Sequence, residues 1–275
     1  MHPWLVYTDW LRLPTYLTCL MVGFGLATFV LRREALRAGL EIRLVMDLAL
    51  WALPTVLLGA RLGHVVLVAP RLYWRRPLEA LQLANGGFVF YGGLIAGGLL
   101  LLRFSRHHGL SPWVLGDVFA PATAFGLAFG RLGCLGGGCC FGRPAEWPLG
   151  IAVPWAIRYY RRSQGLPDAW LGTALHPAPV YASVLALALF MLLCRLRERQ
   201  RVPGETTLAF FGLYGLGRIG LEATRGDLQR GLYLGGLVST SQLIAAVTSA
   251  IALTWWWRRR QPRAPRSGAP GEGRR

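Results

Sequence analysis

Residues 113–132 read WVLGDVFAPATAFGLAFGRL, a mostly apolar run whose second-last residue is an arginine. About 20 apolar residues in helical form cross the hydrocarbon core of a bilayer. Backbone amides in lipid find no water to bond, so a spanning segment has to satisfy them internally, as a helix does. The run therefore predicts a membrane-spanning helix with a charged side chain, Arg131, near one end.

Similar apolar runs recur along the whole chain, in which 53% of residues are apolar and 16% are charged. The runs are continuous rather than alternating, which argues against a transmembrane β-barrel. We predict an all-α polytopic membrane protein with about seven transmembrane helices. The predicted spans are Tyr16–Leu31, Leu44–Val68, Phe88–Leu102, Trp113–Leu132, Val180–Cys194, Thr207–Leu221 and Leu237–Trp257.

The net charge of +17 comes from thirty arginines and no lysine. Most of these arginines flank the apolar runs, so the charge indicates membrane topology and not a nucleic-acid partner. Outside the runs, seventeen arginines fall on the side of the C-terminus and ten on the other side. Arginine is enriched in cytoplasmic loops. The bias therefore predicts an N-terminus outside the cytoplasm and a C-terminus inside it.

The domain organisation predicted from these runs is simple. Residues 1–257 form one membrane domain, and its longest polar excursion, residues 133–178, is a small head outside the cytoplasm. Residues 258–275 are rich in Arg, Pro and Gly and form a disordered cytoplasmic tail.

Three arginines, Arg61, Arg131 and Arg218, lie inside or at the edge of apolar runs. A charge at the bilayer centre costs about 2.5–3.5 kcal/mol on insertion scales, so such residues usually face a protein interior. A guanidinium group binds phosphate through two parallel hydrogen bonds. We expect the arginines to hold an anionic lipid inside the bundle. The alternative for any one of them is a side chain that reaches back to the interface.

Residues 130–143 read GRLGCLGGGCCFGR, with six glycines among fourteen residues. We expect the chain to leave the helix here and the freed amides to line a phosphate or glycerol site. A turn without a ligand is the alternative. Among Cys134, Cys139 and Cys140, a Cys134–Cys139 disulfide and a reactive thiol both remain open. A zinc site would need a fourth ligand, and only the distant His176 offers one, so no metal and no cofactor are expected.

Landmarks along most of the chain, from about residue 14 to 257, resemble the prolipoprotein diacylglyceryl transferase family. They are Tyr16 before a Val-Gly-Phe helix, Gly59-Ala-Arg-Leu-Gly63, Phe90-Tyr91-Gly92-Gly93-Leu94, the Gly130–Gly142 signature, His176-Pro177 before Tyr181, and Tyr214-Gly-Leu-Gly-Arg218 with Glu222 and Arg225.

The resemblance implies an enzyme of the bacterial inner membrane without a cofactor. Its substrates would be phosphatidylglycerol, or a related anionic phospholipid of the bilayer, and the lipobox cysteine of a prolipoprotein. The implied catalytic residues are Arg131, Arg218, Glu222, Tyr91 and Cys139. The implied substrate-binding residues are Tyr16, Arg61, Gly92, Gly93, Gly133, Cys134, Gly138, Gly142, His176 and Arg225.

The chain departs from the family pattern at four positions, which is typical of a divergent branch. Tyr91 stands in place of a histidine, Cys134 and Gly137 in place of asparagines, and Cys139 in place of a glutamate. The base that would activate the acceptor thiol therefore stays unassigned. Two other functions remain open: lipid transfer to another acceptor, and thiol-redox chemistry in the membrane through Cys139 and Cys140.

Overall fold

The computed structural model describes residues 4–8, 12–82, 87–145, 151–152, 173–226, 232–233 and 238–261. These ranges are mostly helical. The α-helices are α1 Thr15–Arg37, α2 Ile42–Leu67, α3 Pro70–Arg75, α4 Phe90–His107, α5 Pro112–Gly137, α6 Ala178–Glu198, α7 Glu205–Glu222 and α8 Thr240–Arg260, and a 3-10 helix covers Pro77–Leu81.

Short strands pair into three antiparallel ribbons that lead into helices. They are β1 Trp4–Tyr7 with β2 Arg12–Pro14, β3 Ile151–Ala152 with β4 Ala174–Leu175, and β5 Leu232–Tyr233 with β6 Val238–Ser239. The ribbons precede α1, α6 and α8, so they fix the points at which these three helices begin.

Local sequence explains where several helices begin and end. Ser239 and Gln242 form a capping box at α8, with 3.2 Å from the Gln242 amide to the Ser239 hydroxyl oxygen. Proline occupies the first turn of α5, where its missing amide hydrogen is not needed. The same helix ends at Gly138, whose φ of +75° only glycine adopts readily.

Each of the seven predicted apolar segments overlaps a helix of 18 residues or more, although three of the segments extend one to three residues beyond the helix. Four of these helices, α1, α2, α5 and α6, are long and apolar enough to cross a membrane by length and composition. The helical class of the protein and its membrane character are therefore confirmed. The other three long helices are shorter or more polar.

The predicted end of the fourth span was wrong. Helix α5 continues five residues past Leu132, to Gly137, instead of breaking within the glycines. The reason is close packing on α1: a Cβ atom on Gly136 would lie 2.5 Å from Thr15 Cγ2, and one on Gly133 would lie 3.0 Å from the Tyr16 carbonyl oxygen. This contact offsets the helix-propensity cost of about 1 kcal/mol per glycine.

The first five residues of the predicted head, residues 133–178, belong to α5. Most of its remainder, residues 146–150 and 153–172, lies outside the described residues, as does the predicted tail from residue 262 onward.

Helix α5 occupies the centre of the described bundle and packs on α1, α4, α6 and α7. Two buried clusters flank it. One joins α1, α2 and α5 and is formed by Leu31, Ala35, Val45, Leu48, Ala49, Leu115, Val118 and Ala122. The other joins α5, α6 and α7 and is formed by Ala120, Ala124, Leu189, Leu193, Ala209 and Phe210. The centre of the bundle thus sets the spacing of the helices that carry the polar residues.

A buried carboxylate fixes the register of α7 against α5. Asp117 on α5 is fully buried. One of its oxygens accepts hydrogen bonds of 2.8 Å from both the amide and the hydroxyl of Thr207, and the other accepts from the Gly204 amide at 2.5 Å. These donors belong to the start of α7, where backbone amides have no partner within the helix. Asp117 therefore caps α7 from a neighbouring helix.

Glycine governs the approach of α4 to α2. A Cβ atom on Gly92 would overlap the Gly59 carbonyl oxygen and lie 3.1 Å from Gly63 Cα. On the same helix, nothing lies within 4 Å of a Cβ atom placed on Gly98. The two glycines therefore differ in packing while sharing a helix.

We expect Gly92→Ala to destabilise the folded protein by about 1–3 kcal/mol, because overpacking against backbone forces the helices apart. Gly98→Ala is the matched control and should be neutral or slightly stabilising, since alanine is the better helix former. The measurement is the unfolding midpoint of the purified protein in detergent. Equal midpoints for the two variants would contradict the close approach of α2 and α4.

Candidate functional site

A narrow cleft, in which arginines lie among mostly apolar side chains, opens between α5, α6 and α7. Its volume is about 20 Å³. The residues that line it are Leu127, Arg131, Cys140, Ala178, Pro179, Ala182, Ala186, Tyr214, Arg218, Leu221 and Arg225. The cleft thus brings together two of the three predicted intramembrane arginines, Arg131 and Arg218, and adds the predicted Arg225.

One face of α7 supplies most of the polar side chains. Tyr214, Arg218 and Glu222 follow at intervals of four residues, so they lie on the same side of the helix. Arg218 Nη1 lies 3.0 Å from Glu222 Oε2, and the Glu222 side chain is only 5% exposed. The carboxylate holds the guanidinium group in place, and the pair remains beside the cleft.

Tyr214 is a cleft residue that the site prediction missed. Its ring stacks on Phe210 with 5.7 Å between ring centroids. Its hydroxyl lies near the Arg131 guanidinium, and both side chains line the cleft. The four-residue spacing to Arg218 is the sequence signal that could have identified it.

Two predicted tyrosines approach the cleft from other helices. Tyr91, at the start of α4, lies within electrostatic range of Arg218, Tyr214 and Glu222. Tyr16, at the start of α1, lies within electrostatic range of Arg131 and of Cys134, Cys139 and Cys140. It is 42% exposed. Both tyrosines therefore lie near the arginines, but neither is among the residues that line the cleft.

The cysteine segment forms a Schellman turn at the end of α5. The Gly138 amide donates to the Leu135 carbonyl at 3.2 Å, and the Cys139 amide donates to the Cys134 carbonyl at 3.0 Å. This pair of bonds defines the motif, which brings the side chains at its two ends together. All five cysteines of the chain lie in described ranges and are free thiols, so the structure has no Cys134–Cys139 disulfide.

The surroundings of the turn shift the pKa values of Cys139 and Cys140 in opposite directions. Hydrogen bonds from the Cys134 and Cys139 thiols, together with the nearby Arg131 and Arg225 guanidinium groups, lower the pKa of Cys140 well below its ordinary value. Hydrogen bonding to Cys134 and Cys140, with burial, raises the pKa of Cys139. Cys140 is the cysteine of the turn that lines the cleft.

Backbone hydrogen bonds join the residues after the turn to the segment before α6 and to the segment after α7. The Gly142 amide donates to the His176 carbonyl at 2.9 Å, and the Arg143 amide donates to the Thr224 carbonyl at 3.0 Å. Gly142 also pairs with Arg225 as an isolated β-bridge. A Cβ atom on Gly142 would overlap the His176 side chain and lie 2.5 Å from the Thr224 oxygen. Glycine is needed there for close approach.

His176 lies beside this junction, just before α6. Its Nδ1 is 3.3 Å from the Tyr181 hydroxyl. The structure brings its backbone to the signature segment, but His176 is not among the residues that line the cleft.

Arg61, the third predicted arginine, is used differently. It is 4% exposed and donates hydrogen bonds of 2.7–3.1 Å to four backbone carbonyls, those of Glu79, Ala80, Gln82 and Gly87. Arg61 therefore holds the connection between α3 and α4 in place and does not line the cleft. Gly92 and Gly93, also predicted to bind substrate, pack α4 against α2.

A family model described as prolipoprotein diacylglyceryl transferase matches residues 3–258. The chain belongs to this family. The match covers the described bundle except for the last two residues of α8, and it includes the arginines of the cleft and the cysteine turn.

Relatives from several bacteria agree with the family match over most of their length. The phosphatidylglycerol–prolipoprotein diacylglyceryl transferase of Enterococcus faecalis is 32% identical over 256 residues, 90% of this chain and 87% of the relative. The enzyme of that name from Bordetella parapertussis is 33% identical over 82% of this chain and 85% of the relative. The one from Azospirillum brasilense is 36% identical over 73% and 74%. Diacylglyceryl transfer is therefore the activity of this family member.

Proposed function

We propose that this diacylglyceryl transferase moves the diacylglyceryl group of phosphatidylglycerol to the thiol of a lipobox cysteine in a prolipoprotein. The observation that carries the proposal is the convergence of Arg131 and Arg218, which are 87 positions apart in sequence, on one cleft between apolar helices. The names of the relatives support the two substrates.

The reaction needs stabilisation of negative charge on a leaving phosphate. The acceptor sulfur attacks the glycerol carbon next to the phosphate, a C–S bond forms, the C–O bond breaks, and glycerol phosphate leaves. Guanidinium groups aimed at the phosphate lower the barrier because the leaving group gains charge as the bond breaks. Arg131 and Arg218, from different helices, would bind the phosphate from two sides.

The neighbouring residues have supporting roles in this proposal. Glu222 orients Arg218 through the 3.0 Å ion pair, and Tyr214 orients Arg131. Arg225 adds a third positive charge at the end of the cleft. Tyr16 and Tyr91 contact the lipid or the peptide from α1 and α4.

The cleft is too narrow as it stands for a phospholipid head group. Its α6 wall consists of small side chains, Ala178, Ala182 and Ala186. Binding would therefore require α6 and α7 to move apart slightly, with the acyl chains remaining in the surrounding lipid.

For the membrane arrangement we propose seven spans, α1, α2, α4, α5, α6, α7 and α8, in the bacterial inner membrane. The seventeen-to-ten arginine asymmetry supports an N-terminus outside and a C-terminus in the cytoplasm. With that orientation the cleft, at the ends of α5 and α7, lies toward the outer face, where the predicted head is also placed.

Substitution of the two arginines tests the phosphate site. Arg218→Lys keeps the charge but loses the planar fork, so transfer should fall by at least tenfold. Arg131→Ala and Arg218→Ala should lower it further, while Glu222→Gln should have a smaller effect. The measurement is transfer of radiolabelled diacylglycerol from phosphatidylglycerol to a lipobox peptide, per amount of folded enzyme.

Arg103→Ala is the matched control, because Arg103 is an exposed arginine at the opposite end of α4. It should leave transfer unchanged. Transfer at the wild-type rate by both the Arg131 and Arg218 alanine variants would show that these arginines have a structural role only.

Reporter fusions test the orientation. Alkaline phosphatase fused after Trp155 should be active, because that enzyme folds only outside the cytoplasm, and phosphatase fused after Arg258 should be inactive. The opposite result at either position would exclude the seven-span arrangement.

A further inference from the structure

Three thiols meet at the end of α5. The Sγ atoms of Cys134, Cys139 and Cys140 all lie within 4.8 Å of one another. Cys134 is buried and the other two are half-buried. Among the described residues, this cluster has the composition and spacing of a metal site.

The backbone is shaped to make this cluster. The Schellman turn brings the side chains of Cys134 and Cys139 to the same side. The third thiol is added by Cys140, whose φ is +59°, and it is the single described non-glycine residue with positive φ. Side chains other than glycine adopt that region at a cost, and such strain concentrates at functional sites.

We propose that Cys134, Cys139 and Cys140 bind a zinc ion through three sulfurs and leave its fourth position for the acceptor thiol. Thiolate ligands select soft or borderline metals such as zinc. Zinc with three protein ligands and one open position is the arrangement of catalytic sites, whereas structural sites have four protein ligands. With Zn–S bonds of about 2.3 Å, the three sulfurs need to close in only slightly from their present separations.

The inference rests on the proposed function and supplies a way to deprotonate the acceptor thiol, for which no base is assigned. Two side chains that could serve as a general base already have partners: Glu222 pairs with Arg218 at 3.0 Å, and His176 Nδ1 faces the Tyr181 hydroxyl at 3.3 Å. A thiol that coordinates a metal is deprotonated outright. Zinc would therefore generate the nucleophile without a general base.

The transfer step breaks one S–H bond and one C–O bond and forms one C–S bond. The acceptor S–H loses its proton to water as the sulfur coordinates zinc. An electron pair of that sulfur then forms the C–S bond to the glycerol carbon. The C–O bond breaks and its electron pair leaves with the glycerol phosphate, while the zinc keeps its charge.

The thiol cluster and the arginines that would bind the phosphate lie next to each other. Cys140 lines the same cleft as Arg131, Arg218 and Arg225. Three thiolates and Zn²⁺ carry a net charge of −1, which the nearby guanidinium groups stabilise. An acceptor sulfur bound to zinc would therefore face a phosphodiester held by the arginines.

The test uses the full-length protein, purified in detergent with a phosphine reductant and incubated with zinc or with cobalt(II). Wild-type protein should retain about one metal per chain after gel filtration, and the cobalt form should absorb through thiolate-to-metal charge transfer. Cys134→Ser, Cys139→Ser and Cys140→Ser should each lower metal retention at least tenfold while eluting as folded protein. Cys194→Ser, a free cysteine on α6, is the control and should retain the metal.

Metal retention is read without any transfer assay, so the two proposals fail separately. Wild-type protein that retains no more zinc than Cys139→Ser, or that carries a disulfide within the cluster in place of metal, would overturn the zinc site. A chelated, folded enzyme that still transfers at the full rate would overturn the role of zinc and leave the phosphatidylglycerol reaction intact. Zinc bound without any transfer activity would count against the proposed function instead.

Discussion

The fold depends on how a bundle of apolar helices compensates buried charge. An uncompensated charge in such a bundle is costly, so each buried ionic group needs partners from the chain or from a ligand. Arg61 is surrounded by four backbone carbonyls, and Asp117 accepts from the amides that begin α7. Glu34 is fully buried and pairs with Arg37 at 3.1 Å and Arg197 at 3.4 Å. These groups join helices to one another.

In the part of the cleft that the structure describes, the positive charges of the arginines are not matched by negative side chains. Three arginines line it, and no carboxylate is among the described residues that do so; Glu222 stands behind Arg218. Excess positive charge between apolar helices suits an anionic ligand that arrives from the membrane. Because α5 carries both Asp117 and Arg131, the contact that sets the register of α7 at one end also aligns Arg218 with Arg131 at the other. Packing and chemistry are thus linked through one helix.

Hydrophobic runs were enough to predict the seven long helices, since lipid demands continuous apolar helices. Arg131 and Arg218, which the cost of burying arginine singled out in the sequence, line the same cleft. The end of α5 could not be predicted, because glycine has low helix propensity and only the contact with α1 keeps Gly133 and Gly136 helical. Local propensity alone does not contain that information.

The role of Arg61 could not be predicted from the sequence either. Its partners are carbonyls at residues 79–87, and side-chain patterns say nothing about where carbonyls point. The three-thiol cluster depends on a Schellman turn and on the positive φ of Cys140, neither of which composition reveals. Tyr214, by contrast, follows the four-residue spacing of α7 and was accessible to sequence reasoning.

The most direct measurement is a cryo-electron microscopy structure of the enzyme in nanodiscs made of phosphatidylglycerol. We expect one lipid phosphate in the cleft, with guanidinium nitrogens of both Arg131 and Arg218 within hydrogen-bonding distance, about 2.7–3.2 Å, of its oxygens. A lipid phosphate bound elsewhere, or held by only one of the two arginines, would contradict it.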